Sequence, residues 1–437
     1  MRFTIIQDLV EFTRIEGDVI LIPILQDLAI HRKQSQISFI YVYDIAGNTE
    51  YIINLAHHDY VKTTNLHNIQ NIFSGKAFVY NKAVLHNVIP AGIDINILLW
   101  TSTNNTLEIK YTTEILTYQS WYKQVPRIAN IIPMMCWLIY CRNIKVQALS
   151  VIRNISVDNA VLFYNEFSDH LNLIEDAGIH VNPETYTRYT KNKPVEYIYS
   201  HYNLFTATGR PSNSHNAINF AALNKNTGIR DMINARTEDG MLIEFDYDSN
   251  HVRLASDLIG VDLPSGNLHE YFGRLYFRTP VISPENYAKS KNLTWQLMYG
   301  NMIPEYINIP YFKAIHEYKK KLWADYKRNR FITMPLSGRK LHIENADGRL
   351  SANLIFNYLM QGYEAEMNSL MLKEIFKYLY KRKSKLILYT YDSFLFDYNK
   401  DDGKSFLTDI GHILNQNNLK CSIKFGKSYG NMREYKN

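Results

Sequence analysis

Hydrophobic and polar positions alternate between residues 242 and 260 in a way that predicts a strand followed directly by a helix. The apolar positions of the strand are Ile243, Phe245 and Tyr247, and the acidic positions between them are Glu244, Asp246 and Asp248. After a turn at Ser249 and Asn250, apolar residues recur at helical spacing. We therefore expect carboxylates where a buried strand ends and a helix begins.

A second stretch, residues 386–398, is apolar and aromatic almost throughout but contains Asp392. A lone carboxylate in such a strand is costly unless something compensates its charge. Two strands of this kind, side by side, would bring Asp246 and Asp392 together, and Mg²⁺ is the usual compensation for such a pair. Taken singly, each Asp is better explained as a turn cap or an arginine partner. Taken together, they favour a two-metal phosphoryl-transfer site.

The N-terminal part of the chain, residues 1–170, has the pattern of an α/β domain. Residues 18–25 are a candidate buried strand, although Pro23 counts against a central position in a sheet. Residues 37–56 predict a hairpin around a turn at Gly47, and residues 76–80 predict another short strand. Residues 171–205 are polar and aromatic and are interpreted as a connector.

A helix is predicted from Ser283, an N-cap, to Tyr299, with Gly300 as its C-cap. Lys291, Trp295 and Tyr299 recur every four residues and therefore share one stripe. A cation, a large flat ring and a phenol in one line could grip a triphosphate, stack on a base and close a pocket. The more common outcome of such spacing is two core aromatics and a solvated lysine.

Two further stretches contain candidate nucleic-acid contacts, and a third has the pattern of a long helix. Residues 206–213 combine small hydroxylated residues, a glycine and Arg210, which suits a phosphate backbone but equally an ordinary surface turn. Residues 311–340 interleave basic and aromatic side chains, which suits unstacked bases or a solvated helix face. Residues 352–380 predict a long helix that is interrupted or entered near Gln361 and Gly362.

Composition narrows the function classes only moderately. The formal net charge of +6 permits a polyanionic partner without demanding one. The three cysteines form neither a CxxC pair nor an even disulfide set, which predicts a reducing cytosol. Acidic residues break the N-terminal apolar pattern, so no signal peptide is expected. The apolar run at residues 131–141 is too short to cross a membrane.

Five motifs, in this order along roughly residues 170–437, resemble those of family A DNA polymerases of the bacterial polymerase I type, and most of all a small bacteriophage-encoded member. They are T-A-T-G-R at 206–210, F-D-Y-D-S-N-H-V-R-L-A at 245–255, the K-x-x-x-W-x-x-x-Y-G pattern at 291–300, N-Y-L-M-Q-G at 357–362 and T-Y-D-S at 390–393. The resemblance implies a right-hand polymerase with palm and fingers.

The resemblance also implies roles for individual residues. Asp246 and Asp392 would be catalytic and would hold two Mg²⁺ ions, with a backbone contact from Tyr247. The residues expected to bind the incoming nucleotide are Lys291 on the triphosphate, Trp295 on the base, Tyr299 beside the nascent pair and His251. The residues expected to contact primer–template DNA are Thr208, Arg210, Asn213, Asn357 and Gln361.

The chain departs from the family pattern at several positions. Tyr287 stands where the family has an arginine on the triphosphate. His251 replaces the glutamate that screens against a 2′-hydroxyl, and Ser393 replaces the acid that follows the second aspartate. Residues 186–206 leave little room for the long helical pair of a thumb, so a reduced thumb is expected at residues 171–205.

The first 170 residues resemble the ribonuclease H-like 3′–5′ exonuclease fold of the same family, without its metal ligands. The strand in the place of the D-x-E motif supplies Ile-Pro-Ile at residues 22–24. Residues 81–85, N-K-A-V-L, resemble N-x-x-x-D with Leu85 for the acid. Asp158 is the one acid expected to survive. A domain without ligands for two metals predicts a scaffold and no proofreading.

The sequence thus predicts an α+β multidomain protein. A degenerate exonuclease-like domain (1–170) would precede a connector and reduced thumb (171–205) and a palm and fingers (206–437, fingers about 261–345). The expected function is template-directed DNA polymerisation in phage replication. The expected partners are primer–template DNA, deoxynucleoside triphosphates and replisome proteins, and the expected location is the host cytoplasm, without a membrane. The alternatives are a single-subunit RNA polymerase, a sugar-indifferent polymerase, or a non-catalytic, polymerase-like nucleic-acid-binding subunit.

Overall fold

The computed structural model describes residues 3–28, 30–213, 218–224, 227–343, 350–416 and 418–435. Contacts within the chain divide it into two compact units, Met1–Asn172 and Leu173–Asn437, called unit 1 and unit 2 below. In the described part of the chain, no helix combines the length and the hydropathy that a membrane span requires.

Unit 1 contains the first strands and helices in an α/β order. Its strands are β1 (Thr4–Ile5), β2 (Val19–Leu25), β3 (Ile37–Asp44), β4 (Thr49–Asn54), β5 (Ala77–Val79) and β6 (Ile93–Asp94). Its helices are α1 (Ile95–Thr103), α2 (Thr113–Trp121), α3 (Met134–Asn154) and the start of α4 (Asn159–Ala177). The predicted strand at 18–25, the hairpin at 37–56 and the strand at 76–80 are confirmed.

The described strands of unit 1 form one sheet in the order β1-β4-β3-β2-β5-β6, so β2 is central. The expectation that Pro23 would keep this strand from a central position is wrong. Pro23 faces Ile40 of β3 on one side. On the other side β5 pairs only with Val19, Ile20 and Leu21. The proline therefore lies beyond the end of the β5 ladder, where its missing N–H is not needed for pairing.

Both faces of this sheet are buried, because β2 is apolar at successive positions. Ile20, Ile22 and Ile24 pack on one face in a core that includes Trp137 of α3. Val19 and Leu21 pack on the other face in a second core. A strand that is buried on both sides reads as a continuous apolar run, which is the pattern the sequence shows.

Unit 2 contains the remaining elements. Its strands are β7 (Ile179–His180), β8 (Tyr197–Ile198), β9 (Met241–Tyr247), β10 (Ile332–Thr333), β11 (Lys340–Leu341), β12 (Lys385–Thr390), β13 (Ser393–Tyr398), β14 (Cys421–Gly426) and β15 (Arg433–Glu434). Its helices are α5 (Pro183–Thr190), α6 (Asn250–Ile259), α7 (Leu268–Phe277), α8 (Pro284–Tyr299), α9 (Pro310–Asn329), α10 (Ala352–Leu379) and α11 (Ser405–Leu414). Helix α5 lies inside the stretch interpreted as a connector.

Within the described part of unit 2, the larger sheet has the order β12-β13-β9-β14-β15. Strand β9 is central and pairs antiparallel with β13 and β14. The predicted passage from β9 into a helix is confirmed: Ser249 adopts a left-handed conformation, with φ of 55°, immediately before α6. The predicted ends of α8 are also confirmed, because the Ser283 side chain accepts a hydrogen bond from the Asn286 N–H and Gly300 follows the last turn.

Two sequence expectations about unit 2 are corrected. Residues 386–398 are not one strand but a hairpin, and Asp392 lies in the turn between β12 and β13 rather than inside a strand. Helix α10 continues through Gln361 and Gly362 without interruption. A Cβ on Gly362 would clash with the Met334 side chain and would lie 3.0 Å from the Thr208 carbonyl oxygen, so glycine here permits close packing of the helix and does not end it.

Candidate active site

A cleft of about 1170 Å³ opens in unit 2 over the ends of strands β9, β13 and β14. It gathers residues from the sheet, from α6, α8 and α10, and from the loop that carries Arg210. Its lining includes the predicted site residues Arg210, Asp246, Tyr247, His251, Lys291, Trp295, Tyr299, Asn357, Gln361 and Asp392, with Tyr287, Glu364, Ser422, Lys420 and Lys424. Residues separated by more than two hundred positions in the chain, such as Arg210 and Lys424, therefore share one cavity.

The two predicted catalytic carboxylates are neighbours because of strand register. Ser393 of β13 pairs with Asp246 of β9, which places Asp392, one residue earlier, at the end of β9. The Tyr247 N–H donates a hydrogen bond of 2.9 Å to the Asp392 carbonyl oxygen. Tyr391, before Asp392, has a φ of 62°, an uncommon conformation for a bulky residue. The tight turn thus fixes Asp392 beside Asp246.

The electrostatics of this pair fit a cation. Burial, followed by the negative charges of Asp246 and Glu364, raises the pKa of Asp392 to about 6. Negative charge beside the buried Asp392 carboxyl group is thus not fully compensated within the protein, and carboxylate oxygens are hard donors of the kind that Mg²⁺ prefers. Lys424 Nζ lies 3.5 Å from Asp246 Oδ2 and supplies part of that charge.

Glu244 is a buried carboxylate next to the cleft that the motif comparison missed. It is buried, and its Oε1 accepts hydrogen bonds from the Ser393 hydroxyl at 3.2 Å and the Tyr429 hydroxyl at 2.9 Å. Lys424 Nζ lies 3.6 Å from its Oε2. This third carboxylate is thus connected to Ser393, the residue that follows Asp392. Ser393 is the residue that stands in place of an acid in the motif comparison. The signal was present in the sequence, because alternation puts Glu244 and Asp246 on one face of β9.

Helix α8 brings the predicted nucleotide-binding stripe into the cleft. Lys291, Trp295 and Tyr299 all line it, and the Trp295 side chain is exposed. The Trp295 and Tyr299 rings are stacked, with centroids 5.4 Å apart and planes at 17°. Tyr287 also lines the cleft and packs edge-on against His269. The stripe is therefore presented to a cavity and is not simply core packing.

His251 lies between this stripe and a buried carboxylate. Its Nδ1 contacts the Tyr299 hydroxyl, and its Nε2 lies 3.2 Å from Glu364 Oε1. Burial, with the charge of Glu364, raises the pKa of Tyr299, so the phenol stays protonated. The imidazole is held at both of its nitrogens. The motif comparison identified His251 but gave no indication of the glutamate, which comes from helix α10.

The predicted DNA-contact residues divide into two groups. Arg210, Asn357 and Gln361 line the cleft, and the Gln361 amide donates to Asn357 Oδ1 at 3.3 Å. Thr208 and Asn213 do not line it, and both are buried. Arg210 has partners within the protein: its Nε lies 2.6 Å from Glu364 Oε2, and its guanidinium stacks 3.7 Å from the centroid of Tyr391.

The positions in unit 1 that resemble exonuclease motifs lie in hydrophobic cores or at a helix end. Ile22 and Ile24 are buried in the sheet core, and Leu85 is buried in the core of the opposite face. Asp158 precedes α4, and its Oδ1 accepts a hydrogen bond of 3.0 Å from the Val161 N–H. That contact is the one expected of a helix N-cap. The described residues of unit 1 contain, among themselves, no group of three His, Cys, Asp or Glu side chains placed to share one ion.

Comparison with solved structures identifies the fold. The POL domain of Pol1 from M. smegmatis, in complex with a DNA primer-template and dNTP, superposes with a TM-score of 0.67. The alignment covers 97% of this chain and 97% of that one, at 12% sequence identity. No protein-family model and no curated protein matches the sequence. The chain is therefore similar in fold to a DNA polymerase domain along nearly its whole length.

Proposed function

We propose that this chain is a template-directed DNA polymerase of the family A type, encoded by a bacteriophage, that adds deoxynucleotides to a primer 3′-hydroxyl. The observation that carries the proposal is the single cleft in which Asp246 and Asp392 meet the stripe formed by Lys291, Trp295 and Tyr299. A pure DNA-binding protein has no need of adjacent carboxylates whose charges raise the pKa of Asp392. The likeness of fold to a polymerase domain supports the same conclusion.

Asp246 and Asp392 are the residues that would hold two Mg²⁺ ions, with the Tyr247 backbone beside them. When bound, such ions lower the pKa of the primer hydroxyl and offset the charge of the leaving pyrophosphate. Lys291 would bind the triphosphate as a point charge, and the exposed Trp295 ring would pack on the incoming base. Tyr299, held by His251, would close the pocket beside the nascent base pair.

The remaining parts of the proposal concern the regions around this cleft. Residues 206–437 would form palm and fingers, with fingers at about 261–345, and residues 171–205 would form a reduced thumb. Unit 1 would be a degenerate exonuclease-like scaffold without proofreading. Arg210, Asn357 and Gln361 are the residues placed to meet primer–template DNA. The free cysteines Cys136, Cys141 and Cys421 suit work in a reducing host cytoplasm, beside replisome proteins.

A sugar-indifferent polymerase is the second candidate, and His251 is the observation that favours it. An imidazole differs in shape from a carboxylate and, when neutral, both donates and accepts a hydrogen bond. It therefore meets a 2′-hydroxyl differently from a glutamate. On this basis we expect weaker selection of deoxynucleotides than in a polymerase with glutamate at this position.

Primer extension on a defined template tests both candidates in one experiment. The protein is incubated with primer–template and Mg²⁺ in parallel reactions. These contain all deoxynucleotides, all ribonucleotides, or one single nucleotide. Template-dependent extension with deoxynucleotides supports the DNA polymerase. Equal insertion rates for dATP and ATP would favour the sugar-indifferent enzyme. DNA binding without extension under every condition would contradict catalysis and leave a nucleic-acid-binding subunit.

A further inference from the structure

Glu364 is a buried carboxylate at the wall of the cleft to which the mechanism above gives no part. It lies on α10, and its side chain is 2% exposed. Oε1 accepts a hydrogen bond of 3.0 Å from the Asn250 amide and lies 3.2 Å from His251 Nε2. Oε2 lies 2.6 Å from Arg210 Nε. Three elements that line the cleft therefore meet at one charge.

The surroundings of Glu364 keep it ionised. Burial opposes ionisation, but His251, Arg210 and Asn250 together hold the pKa of Glu364 below its usual value. A buried carboxylate that contacts two basic side chains fixes their positions more firmly than a neutral group does, because electrostatic attraction is stronger where water is excluded. Glu364 is therefore built as an anchor for the side chains that contact it.

One side chain anchored in this way is His251, on the nucleotide side of the cleft. Its Nε2 faces Glu364 and its Nδ1 contacts the Tyr299 hydroxyl, so rotation of the ring would break a contact at each nitrogen. The Trp295 ring stacks on Tyr299. The orientation of the wall expected to face the nucleotide sugar and base thus depends on the carboxylate of Glu364.

The other anchored side chain is Arg210, on the carboxylate side of the cleft. Its guanidinium carbon lies over the Tyr391 ring, 3.7 Å from the centroid. Tyr391 is the residue before Asp392 and has a φ of 62°. An uncommon backbone conformation persists only where its surroundings hold it. The stack on Tyr391 therefore helps to hold the turn that presents Asp392.

We propose that Glu364 is a positioning residue that fixes the sugar-facing wall through His251 and the Asp392 turn through Arg210. The inference rests on the polymerase activity proposed above, and it concerns this chain's own network of Asn250, His251, Arg210 and Glu364. It predicts that one substitution, away from the reacting atoms, changes both the choice of sugar and the rate of nucleotide addition.

The test compares Glu364→Gln with Glu366→Gln in the full-length protein. Glu366 is also a buried glutamate of α10, two residues further on, and it accepts hydrogen bonds from the Leu336 N–H and from Ser337 outside the cleft. Both variants replace a buried, hydrogen-bonded glutamate by glutamine, so both are expected to unfold at a lower temperature. Single-nucleotide insertion with dATP and with ATP then gives kcat, KM and the preference for deoxynucleotide in each.

We expect Glu364→Gln to reduce the preference for dATP over ATP, and the kcat for dATP, each by about tenfold or more, the effect of losing a hydrogen bond to a charged group. Glu366→Gln is expected to keep both values. Glu364→Asp retains the charge but shortens its reach, so it should fall between wild type and Glu364→Gln. If Glu364→Gln does not fold, Glu364→Asp decides by the same two measurements.

Two outcomes separate this inference from the proposed function. In the first, the wild type extends the primer, and the dATP preference and the kcat for dATP are the same in the Glu364 and Glu366 variants. That outcome would overturn the positioning role and leave the proposed polymerase activity intact. No extension by the wild type under any condition would overturn the polymerase itself, and the positioning role with it.

Discussion

The central strands of the two sheets differ in a way that bears on function. Strand β2 of unit 1 reads V-I-L-I-P-I-L and is buried almost throughout. Strand β9 of unit 2 reads M-L-I-E-F-D-Y and carries two acids. Both strands have a neighbour on each side. The comparison shows that position in a sheet does not by itself decide whether a strand can carry a carboxylate.

The surroundings of the two strands explain the difference. Glu244 of β9 has the hydroxyls of Ser393 and Tyr429 as donors, and Asp246 opens into the cleft beside Lys424. The two faces of β2 pack instead in two hydrophobic cores. A buried charge is tolerated where hydrogen bonds or opposite charge compensate it and is expelled elsewhere. Unit 2 therefore offers compensated positions for acids on its central strand, whereas the central strand of unit 1 is packed in hydrophobic cores.

The largest expected effect is the loss of activity on neutralising one acid of the cleft. We predict that Asp246→Asn or Asp392→Asn abolishes primer extension while DNA affinity stays nearly unchanged. Losing a metal clamp removes several kcal/mol of transition-state stabilisation, which is about a thousandfold or more in rate. Primer extension and DNA binding are measured on the same preparations.

Asp397→Asn is the matched control for these variants. Asp397 is a buried carboxylate of β13 that pairs with Arg236 at 2.9 Å and does not line the cleft. It should lose stability and keep extension. Near-normal extension by Asp246→Asn or Asp392→Asn would contradict the site assignment.

The next effect is on folding and concerns unit 1. We predict that Ile22→Asp lowers the free energy of unfolding by more than about 4 kcal/mol, because the carboxylate would enter a hydrophobic core. Ile22→Val is the control and should cost about 1 kcal/mol. Denaturant unfolding followed by circular dichroism measures both. A cost for the aspartate no larger than for the valine would show that β2 accepts a charge, as β9 does.

The third prediction uses the pKa of Asp392. A carboxyl group whose pKa is about 6 in the folded protein and near 3.8 when unfolded binds protons preferentially in the folded state. The free energy of unfolding therefore falls as pH rises from about 4 to 6. Without divalent ions, Asp392→Asn should be more stable than wild type by about 2–3 kcal/mol above pH 6 and no more stable below pH 4.

Unfolding in EDTA across this pH range measures the difference, and added Mg²⁺ should stabilise wild type more than Asp392→Asn. Equal stability of the two proteins at pH 8 in EDTA would mean that burial and neighbouring negative charge do not destabilise the ionised Asp392 carboxylate. The Asp397→Asn variant again serves as the comparison for loss of a buried carboxylate.

The smallest expected effect is that of Asp158→Ala in unit 1. As an N-cap, Asp158 should contribute about 1 kcal/mol to stability and nothing to catalysis. An end-labelled primer with a 3′ mismatch, incubated with Mg²⁺ or Mn²⁺ and no nucleotides, should keep its length with wild type and variant alike. Stepwise shortening by wild type that disappears in Asp158→Ala would assign this residue to a working exonuclease.

Local pattern in the sequence determined the elements around the site. Alternation predicted β9 and the passage into α6, and the caps Ser283 and Gly300 predicted the ends of α8. Spacing of four residues predicted that Lys291, Trp295 and Tyr299 share a stripe. These features depend on residues a few positions apart, so the chain's own geometry decides them before any tertiary contact is made.

Tertiary structure decided which side chains meet. Asp392 was expected inside a strand, but hydrogen bonding of β12 to β13 puts it in a turn. Pro23 was expected to exclude β2 from the sheet centre, but the short ladder of β5 ends before it. Glu364 reaches His251 and Arg210 only because α10 packs beside both. Strand register and helix packing join residues more than a hundred positions apart, and no local period in the sequence encodes which of them will touch.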